Sequence, residues 1–476
     1  MLIYQTLLYL PAQFLAPLFQ FVAAVVWTHW FLPEAYGVLA YVMAAQELAF
    51  MVCLSWWSHY TVRYLPMLDT PQARARYLVA ESRILVLTSL IQAFVGVVSL
   101  VAIDATLTSE LVAATIFFTV SRSVMMHLAE RSRSRGDVVA YSVAQIASSA
   151  GGFGLGFLVV AVTSATPAGA LAGFAMAQIG ALGWLAGRMG LRISIGMPDR
   201  GLLGAALRYG LPLVIGGAIG WVSINGIRVI VQHGAGSAAV GLVSVGWGLG
   251  QRMASFGAML VTAAAFPIAV RELHARGRKQ SLQQLSASGA LLVGLVVPMS
   301  IGILLVARPL VDLLIAAPFR VVTLAVLPPA VFAGAIRNLR VHFADQVFML
   351  VERTRILILV NAIEAIAVVG LCAAGLFLWG LAGAAVGCLA GIAVGAVVCF
   401  AVAMGRYGLQ LPVWHIARIA GATGAMAIAL SLPSWCAGIV GLTSEIATGI
   451  AVYGAALAVL YPAFVFRGCR RALAWG

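Results

Sequence analysis

The chain has 476 residues, of which 62% are hydrophobic and only 9% charged, with a formal net charge of +14. Soluble domains carry roughly 25% charged residues, so the composition excludes a soluble fold and makes the lipid bilayer the principal solvent. The positive balance, which in a soluble protein would suggest nucleic acid, is here a question of where basic residues fall along a membrane chain, and no nucleic-acid partner is expected.

Apolar runs of about 20 residues mark membrane helices, and fourteen are predicted. Backbone groups in hydrocarbon must be satisfied within their own segment, so each run is read as a helix. The first, 7–27, follows "MLIYQTLLYLPAQF", which has neither a basic n-region nor a small-residue cleavage site and is read as a retained span. Its outer end carries Trp27, Trp30, Phe31 and Tyr36. The second, 38–59, holds Gln46 and Glu47 and ends on Trp56, Trp57 and Tyr60. Both aromatic clusters fit an interfacial belt better than sugar stacking. After the basic loop 63–83 come spans at 84–103, 109–128 (with Arg122), 139–163 and 168–187. "GGFGLGF" (151–157) lies inside the fifth with no strand before it, so its glycines are read as allowing close helix packing.

The seventh and eighth spans, 210–231 and 239–266, contain Arg228 and the pair Gln251-Arg252. After 287–307, the tenth span at 321–345 carries Pro328-Pro329, a predicted kink. It also carries a polar stripe, Asn338, His342 and Asp345, beside Arg337 and Arg340. That stripe either lines an inner vestibule or marks where the helix overshoots the bilayer. Spans at 356–378 (with Glu364), 381–403, 413–432 and 445–466 complete the chain.

Of the 29 basic residues, 22 fall in loops after even-numbered spans, including Arg74, Arg76, Arg131, Arg133, Arg192 and the tail Arg467, Arg470 and Arg471. Loops after odd-numbered spans hold only Arg308 and Arg320. The positive-inside rule then puts both termini in the cytoplasm and makes anionic headgroups the surface partner. The six cysteines form no CxxC pair and are read as small buried hydrophobes. The only lysine, Lys279, lies in "RGRKQS" and not in a Walker A loop, and no HExxH motif occurs. A non-enzymatic protein with no metal or cofactor is expected, and a transporter is the leading class.

Transporters are often built from internal repeats. In 9–50 and 210–256 a Leu-Pro (Pro11, Pro212) is followed by one span, a turn on glycine (Gly37, Gly241), and a Gln followed by a charge (Gln46-Glu47, Gln251-Arg252). Six spans separate the copies, so both run in the same direction. The predicted domains are an N-lobe at 1–205, a C-lobe at 206–403, and two added spans at 404–476.

"LPEAYGVLAY" (32–41), "RYGLPLVIGGAIGW" (208–221), "AAVGLVSVGWGLGQR" (238–252) and "IRNLRVHFADQVFMLVERTR" (336–355) resemble the polysaccharide transporter family of the MOP flippase superfamily, the Wzx-type flippases of O-antigen and exopolysaccharide assembly. The resemblance implies an all-α polytopic fold with two pseudo-symmetric six-helix lobes around a central cavity, in the bacterial inner membrane. It implies an undecaprenyl-diphosphate-linked glycan as cargo, with polysaccharide polymerase and export machinery as candidate partners. Many relatives carry an acidic residue where this chain has Arg228, so their ion coupling is not carried over.

Each mid-membrane charge costs on the order of 2.5–3.5 kcal/mol on insertion scales and should face a cavity or a partner. The candidate cargo-binding residues are Arg252, Glu47, Arg122, Arg228, Gln46 and Gln251. Arg337, Arg340, Asp345 and Glu364 form a candidate vestibule. Arginine suits a lipid diphosphate because its planar fork binds phosphate oxygens in pairs. The alternative is a structural ion pair such as Glu47–Arg252. Two other functions stand beside the flippase: a cation-coupled drug exporter of the same superfamily, disfavoured by the absence of an acidic residue in 7–27, and a non-transporting assembly partner, disfavoured by the mid-membrane charges.

Overall fold

The computed structural model describes residues 2–190, 194, 196–432 and 438–462, so Arg192 and the basic tail lie outside the described residues. The described chain is all-α, and eleven of its helices are long and apolar enough to cross a membrane. Two of these contain a break. α9 (Arg200–Arg276) breaks at Gly236, and α14 (Arg355–Tyr407) breaks at Trp379–Gly380. With each half taken as one passage, and the shorter apolar Leu15–Trp30 within α1 (Leu2–Trp30) as another, the described residues make fourteen passages, the number predicted. The protein is a multi-pass membrane protein.

Two compact units, Met1–Val245 and Gly246–Gly476, divide the chain inside α9. In the first, α2 (Pro33–Cys53) is followed by α3 (Ser55–Tyr64) and α4 (Pro71–Val101). The basic stretch 63–83, expected as a loop, is therefore helical from Pro71 onward. Thr70 caps α4, its hydroxyl oxygen accepting the Ala73 N–H at 3.2 Å, and Pro71 occupies the first turn, where a missing N–H does no harm. A hydropathy window misses this start because Arg74, Arg76 and Glu81 dilute the apolar signal.

α5 (Ser109–Ser134) and α8 (Pro167–Met189) pack together, and between them in sequence lie α6 (Val138–Ile146), a π-helical turn at Ala147–Gly151 and α7 (Gly152–Val162). The glycines of "GGFGLGF" do allow close packing. Gly152 lies under the Phe174 ring, and Gly156 sits against the Gly173 backbone. Trp27 and Trp57, expected at the interface, are core residues instead. Trp27 stacks on Phe31 at 4.9 Å, and Trp57 on Tyr77 at 5.1 Å, so aromatic packing consumes the faces an interfacial belt would present.

Asp137 caps α6 through the Ala140 N–H (3.0 Å) and pairs with Arg188 at 3.0 Å. The hydrogen bond from Arg188 holds its carboxyl below the usual aspartate range. Its contribution to stability is therefore present at neutral pH and lost only as pH falls through that lowered value. Asp137→Ala is expected to lower stability by about 1 kcal/mol, as a cap does. Unfolding midpoints in detergent should show this difference at pH 7 and a shrinking one as the carboxyl protonates.

Gly37 and Gly241, expected at turns, are both helical and lie against each other. The turn of the second copy falls instead at Gly236, whose φ of 80° suits glycine. A methyl group on Gly37 would overlap the Ser237 carbonyl, and one on Gly241 the Pro33 carbonyl. Gly37→Ala and Gly241→Ala are each expected to destabilise by about 1–3 kcal/mol through overpacking, read as a lower midpoint of thermal unfolding.

In the second unit, Gly246, Gly250 and Ala254 of α9 form a small-residue stripe against α12 (Ala317–Leu339), meeting Thr323, Ala330 and Gly334. α12 runs through Pro328-Pro329 without ending. The irregularity falls later, at the π-helical turn Arg340–Ala344, before α13 (Asp345–Leu350). The halves of α14 close into a hairpin on Gly375, Gly383 and Gly387. α10 (Arg278–Leu305), followed by the short α11 (Ala307–Leu314), carries α15 (Val413–Leu430) and α16 (Gly438–Leu460), the Tyr453 hydroxyl donating to the Gly294 carbonyl at 2.6 Å.

Candidate functional site

Consecutive residues on a helix point about 100° apart, and Gln46 and Glu47 use that divergence. Gln46 is buried toward α5, where its amide donates to Ser123 Oγ at 3.0 Å. Its carbonyl oxygen accepts from Arg122 Nε at 3.0 Å. Arg122 is thus held by its inner nitrogen, and its two terminal nitrogens have no hydrogen-bond partner among the described residues. Arg122 lines a cavity of about 140 Å³ in the first unit, with Phe50, Met125 and Met126 among its apolar neighbours there. Gln20 of α1, Gln145 of α6, and Ser148 and Ser149 of the π-helical turn add polar groups to its wall, with Glu130 at one side. Single π-helical turns inside α-helices are found frequently at functional sites. Here the turn brings two serine hydroxyls to the chamber that Arg122 lines. An anchored guanidinium with a free fork, beside neutral amide and hydroxyl groups, is suited to an anion's oxygens.

Glu47 turns the other way and accepts from Asn225 Nδ2 at 3.4 Å. The Asn225 carbonyl oxygen takes a hydrogen bond from Arg228, whose Nε donates to Ser244 Oγ at 3.2 Å. Glu47 and Arg228 are thereby joined through Asn225, a residue that sequence reasoning missed because an amide carries no charge signal.

A second missed group lies around Glu81. Its carboxylate accepts from Arg131 and, at 2.9 Å, from the Tyr77 hydroxyl, while His127 Nε2 lies 3.0 Å from it. His127 Nδ1 is 2.9 Å from Ser58 Oγ, and the Tyr77 oxygen is 2.7 Å from Thr61 Oγ1. All six side chains are buried, and they tie α3, α4 and α5 together. A sequence signal existed: "HLAERSRS" (127–134) recurs as "MLVERTRI" (349–356) at the end of the tenth span. The two copies are built differently. α5 continues through the first, whereas the helix of the second stops at Leu350 and Glu352 takes a φ of 57°.

In the second unit Arg252 is half-buried, its guanidinium folded back beside Gly248. The Gln251 amide donates to the Ala330 carbonyl at 3.5 Å. Arg340 and Glu364 pair deep in the interior. Arg337 reaches the other Glu364 oxygen at 3.2 Å, Asn361 accepts from Arg340 at 2.6 Å, and Asp345 lies 3.6 Å from Arg340 Nε. Two arginines and two carboxylates balance in charge. The stripe of Asn338, His342 and Asp345 is divided among neighbours, because the π-helical turn shifts the register between its members. Asn338 donates to Ser255 Oγ at 3.3 Å, and Asp345 accepts from Cys399 Sγ at 3.0 Å. Among the described residues no group of three metal-ligating side chains is assembled.

Neither a family model nor a curated relative matches this sequence. Solved structures do. The lipid II flippase MurJ, in an inward closed conformation, superposes with a TM-score of 0.78 over 96% of this chain and 100% of its own, at 11% identity. An inward-facing multidrug resistance MATE family transporter of the MOP superfamily gives a TM-score of 0.64 over 85% of this chain and 95% of that one, at 14% identity. The chain shares its helical fold with these two transporters. A Vibrio cholerae MATE transporter matches it as well, with a TM-score of 0.55, 14% identity, and 86% of this chain and 97% of that chain covered. At such low identity the shared property is the path of the helices, so what the side chains do has to be argued from this chain's own residues.

Proposed function

We infer that the protein is a flippase that carries an undecaprenyl-diphosphate-linked oligosaccharide from the cytoplasmic to the periplasmic face of the bacterial inner membrane, for O-antigen or exopolysaccharide assembly. Lobes at 1–205 and 206–403 alternate in access, and 404–476 adds two spans. The observation that carries this reading is Arg122. Gln46 holds its guanidinium through Nε, and Arg122 lines a chamber whose wall also carries Gln20, Gln145, Ser148 and Ser149. A diphosphate is the part of the cargo that hydrocarbon rejects most strongly, and a pre-oriented fork lowers that barrier by neutralising charge and pairing with two oxygens. Arg252, Arg228, Glu47 and Gln251 belong to the same cargo-binding proposal. The match to a lipid II flippase along that protein's full length supports it.

The test is flipping of a fluorescent, short-chain polyprenyl-diphosphate oligosaccharide by the purified protein in vesicles. Arg122→Ala is expected to slow flipping about ten- to hundredfold, the effect of one charge-assisted hydrogen bond at ~1.5–3 kcal/mol. Arg122→Lys, which keeps charge without the fork, should fall between. The MATE neighbours keep a second reading in view, export of a cationic small molecule. If wild type moved a cationic dye and left the lipid diphosphate in place, the exporter reading would replace the flippase.

A further inference from the structure

α5 and α8 begin close together, at Ser109 and Pro167, and α7 ends beside them at Val162. A cleft of about 650 Å³ remains open where the three helices meet. On α5 it is lined by Glu110, Ala113, Ala114 and Phe117, which share one helical face. Opposite stand Ala168, Gly169, Ala172 and Ala175, too short to fill the space, with Met176 and Ile179 beyond them. From Ala168 to Ile179 the cleft follows α8 for about 16 Å at 1.5 Å per residue. That matches the ~15 Å hydrocarbon depth of one leaflet, half of the ~30 Å core.

Its polarity is graded along that length. The deep end is wholly apolar, while Glu110, Thr163, Ser164 and Thr166 crowd the mouth, where the helices end. Glu110 is exposed and forms no ion pair among the described residues. Thr163 donates its hydroxyl proton to the Val159 carbonyl at 2.6 Å. Thr166 uses its oxygen to cap α8 at the Gly169 N–H (3.2 Å), leaving its proton available, and the Ser164 hydroxyl makes no hydrogen bond among the described residues. No basic side chain lines the cleft.

We propose that this cleft binds one zwitterionic aminophospholipid, such as phosphatidylethanolamine, from the leaflet on the arginine-poor side of the membrane. One acyl chain lies along the small-residue face of α8. The ammonium group sits on Glu110, and the Ser164 and Thr166 hydroxyls donate to the phosphate. The lone carboxylate selects against an anionic headgroup such as phosphatidylglycerol. The absence of a cation excludes a polyprenyl diphosphate, so this site is separate from the Arg122 chamber and does not depend on which cargo crosses.

The experiment reconstitutes the full-length protein in nanodiscs of equimolar phosphatidylethanolamine and phosphatidylglycerol and identifies the retained lipid by native mass spectrometry. Wild type should keep one phosphatidylethanolamine. Glu110→Gln should reduce its preference over phosphatidylglycerol about fivefold, the effect of one interfacial charge. Ala113→Phe, made at an exposed position on α5, should fill the cleft and release the lipid while leaving the unfolding midpoint in detergent unchanged. Equal retention of both lipids by wild type, an unaltered preference in Glu110→Gln, or lipid still held by Ala113→Phe would overturn the proposal. So would displacement of the bound lipid by a long-chain polyprenol, which has no amine for Glu110 to recognise.

Discussion

Replacing Glu364 with alanine is expected to remove most of the protein from the membrane fraction. Glu364 is wholly buried and is shared by Arg337 and Arg340. Without it, Asp345 alone faces two guanidiniums, and Arg340 Nε already lacks a good hydrogen bond. Leaving a buried charge unpaired lowers stability by about 3–5 kcal/mol, a large share of the ~5–15 kcal/mol that holds a typical domain together. Glu364→Gln keeps the shape and one acceptor oxygen, so an intermediate loss should follow. The matched apolar double variant Glu364→Leu/Arg340→Met should recover only part of it, because Arg337 and Asp345 each lose a partner as well. Gly395→Ala tests the same cluster without touching a charge. Its methyl group would meet the Glu364 carboxylate and displace it from both arginines. Immunoblots of membranes and unfolding midpoints in detergent measure all four, and normal abundance of Glu364→Ala would refute the pairing as the source of stability.

Hydropathy made the helices legible because the bilayer imposes one rule on every span: satisfy the backbone internally and present apolar side chains. It failed where that rule is relaxed. Glu81 and Arg131 are buried partners on α4 and α5, yet each lies where the sequence reads as loop, because two charges in a short window outweigh the apolar residues around them. Arg131 still lies in the last turn of α5, and the positive-inside rule concerns residues near the helix ends whatever they touch. Arg122 was legible as an expensive mid-membrane charge, but its tie to Gln46 was not, because nothing in a sequence says which way an amide turns. The π-helical turns at Ala147–Gly151 and Arg340–Ala344 leave no periodic signature at all. They matter because they decide what lines the Arg122 chamber and how the polar stripe of the tenth span is divided.

Glu81→Ala should lower stability by about 3–5 kcal/mol, because it leaves the Arg131 guanidinium buried and unpaired. Here, in contrast to Glu364, the double variant Glu81→Leu/Arg131→Met is expected to regain stability to within about 1 kcal/mol of wild type, since a buried pair replaced by apolar groups of similar volume is often neutral. The difference follows from the remaining partners. When Glu81 is lost, Tyr77 keeps Thr61 at 2.7 Å and His127 keeps Ser58 at 2.9 Å, so one guanidinium is the only buried charge left over, and Arg131→Met removes it. Trp57 stacks on Tyr77 beside this network, and the unfolding midpoint in detergent should fall in Glu81→Ala and return in the double variant. Flipping by the double variant should also persist, since neither side chain lines the Arg122 chamber. If the double variant were as unstable as Glu81→Ala, the carboxylate's worth would lie in its hydrogen bonds with Tyr77 and His127, not in its charge. A stable double variant that no longer flipped cargo would place the network in the transport cycle itself.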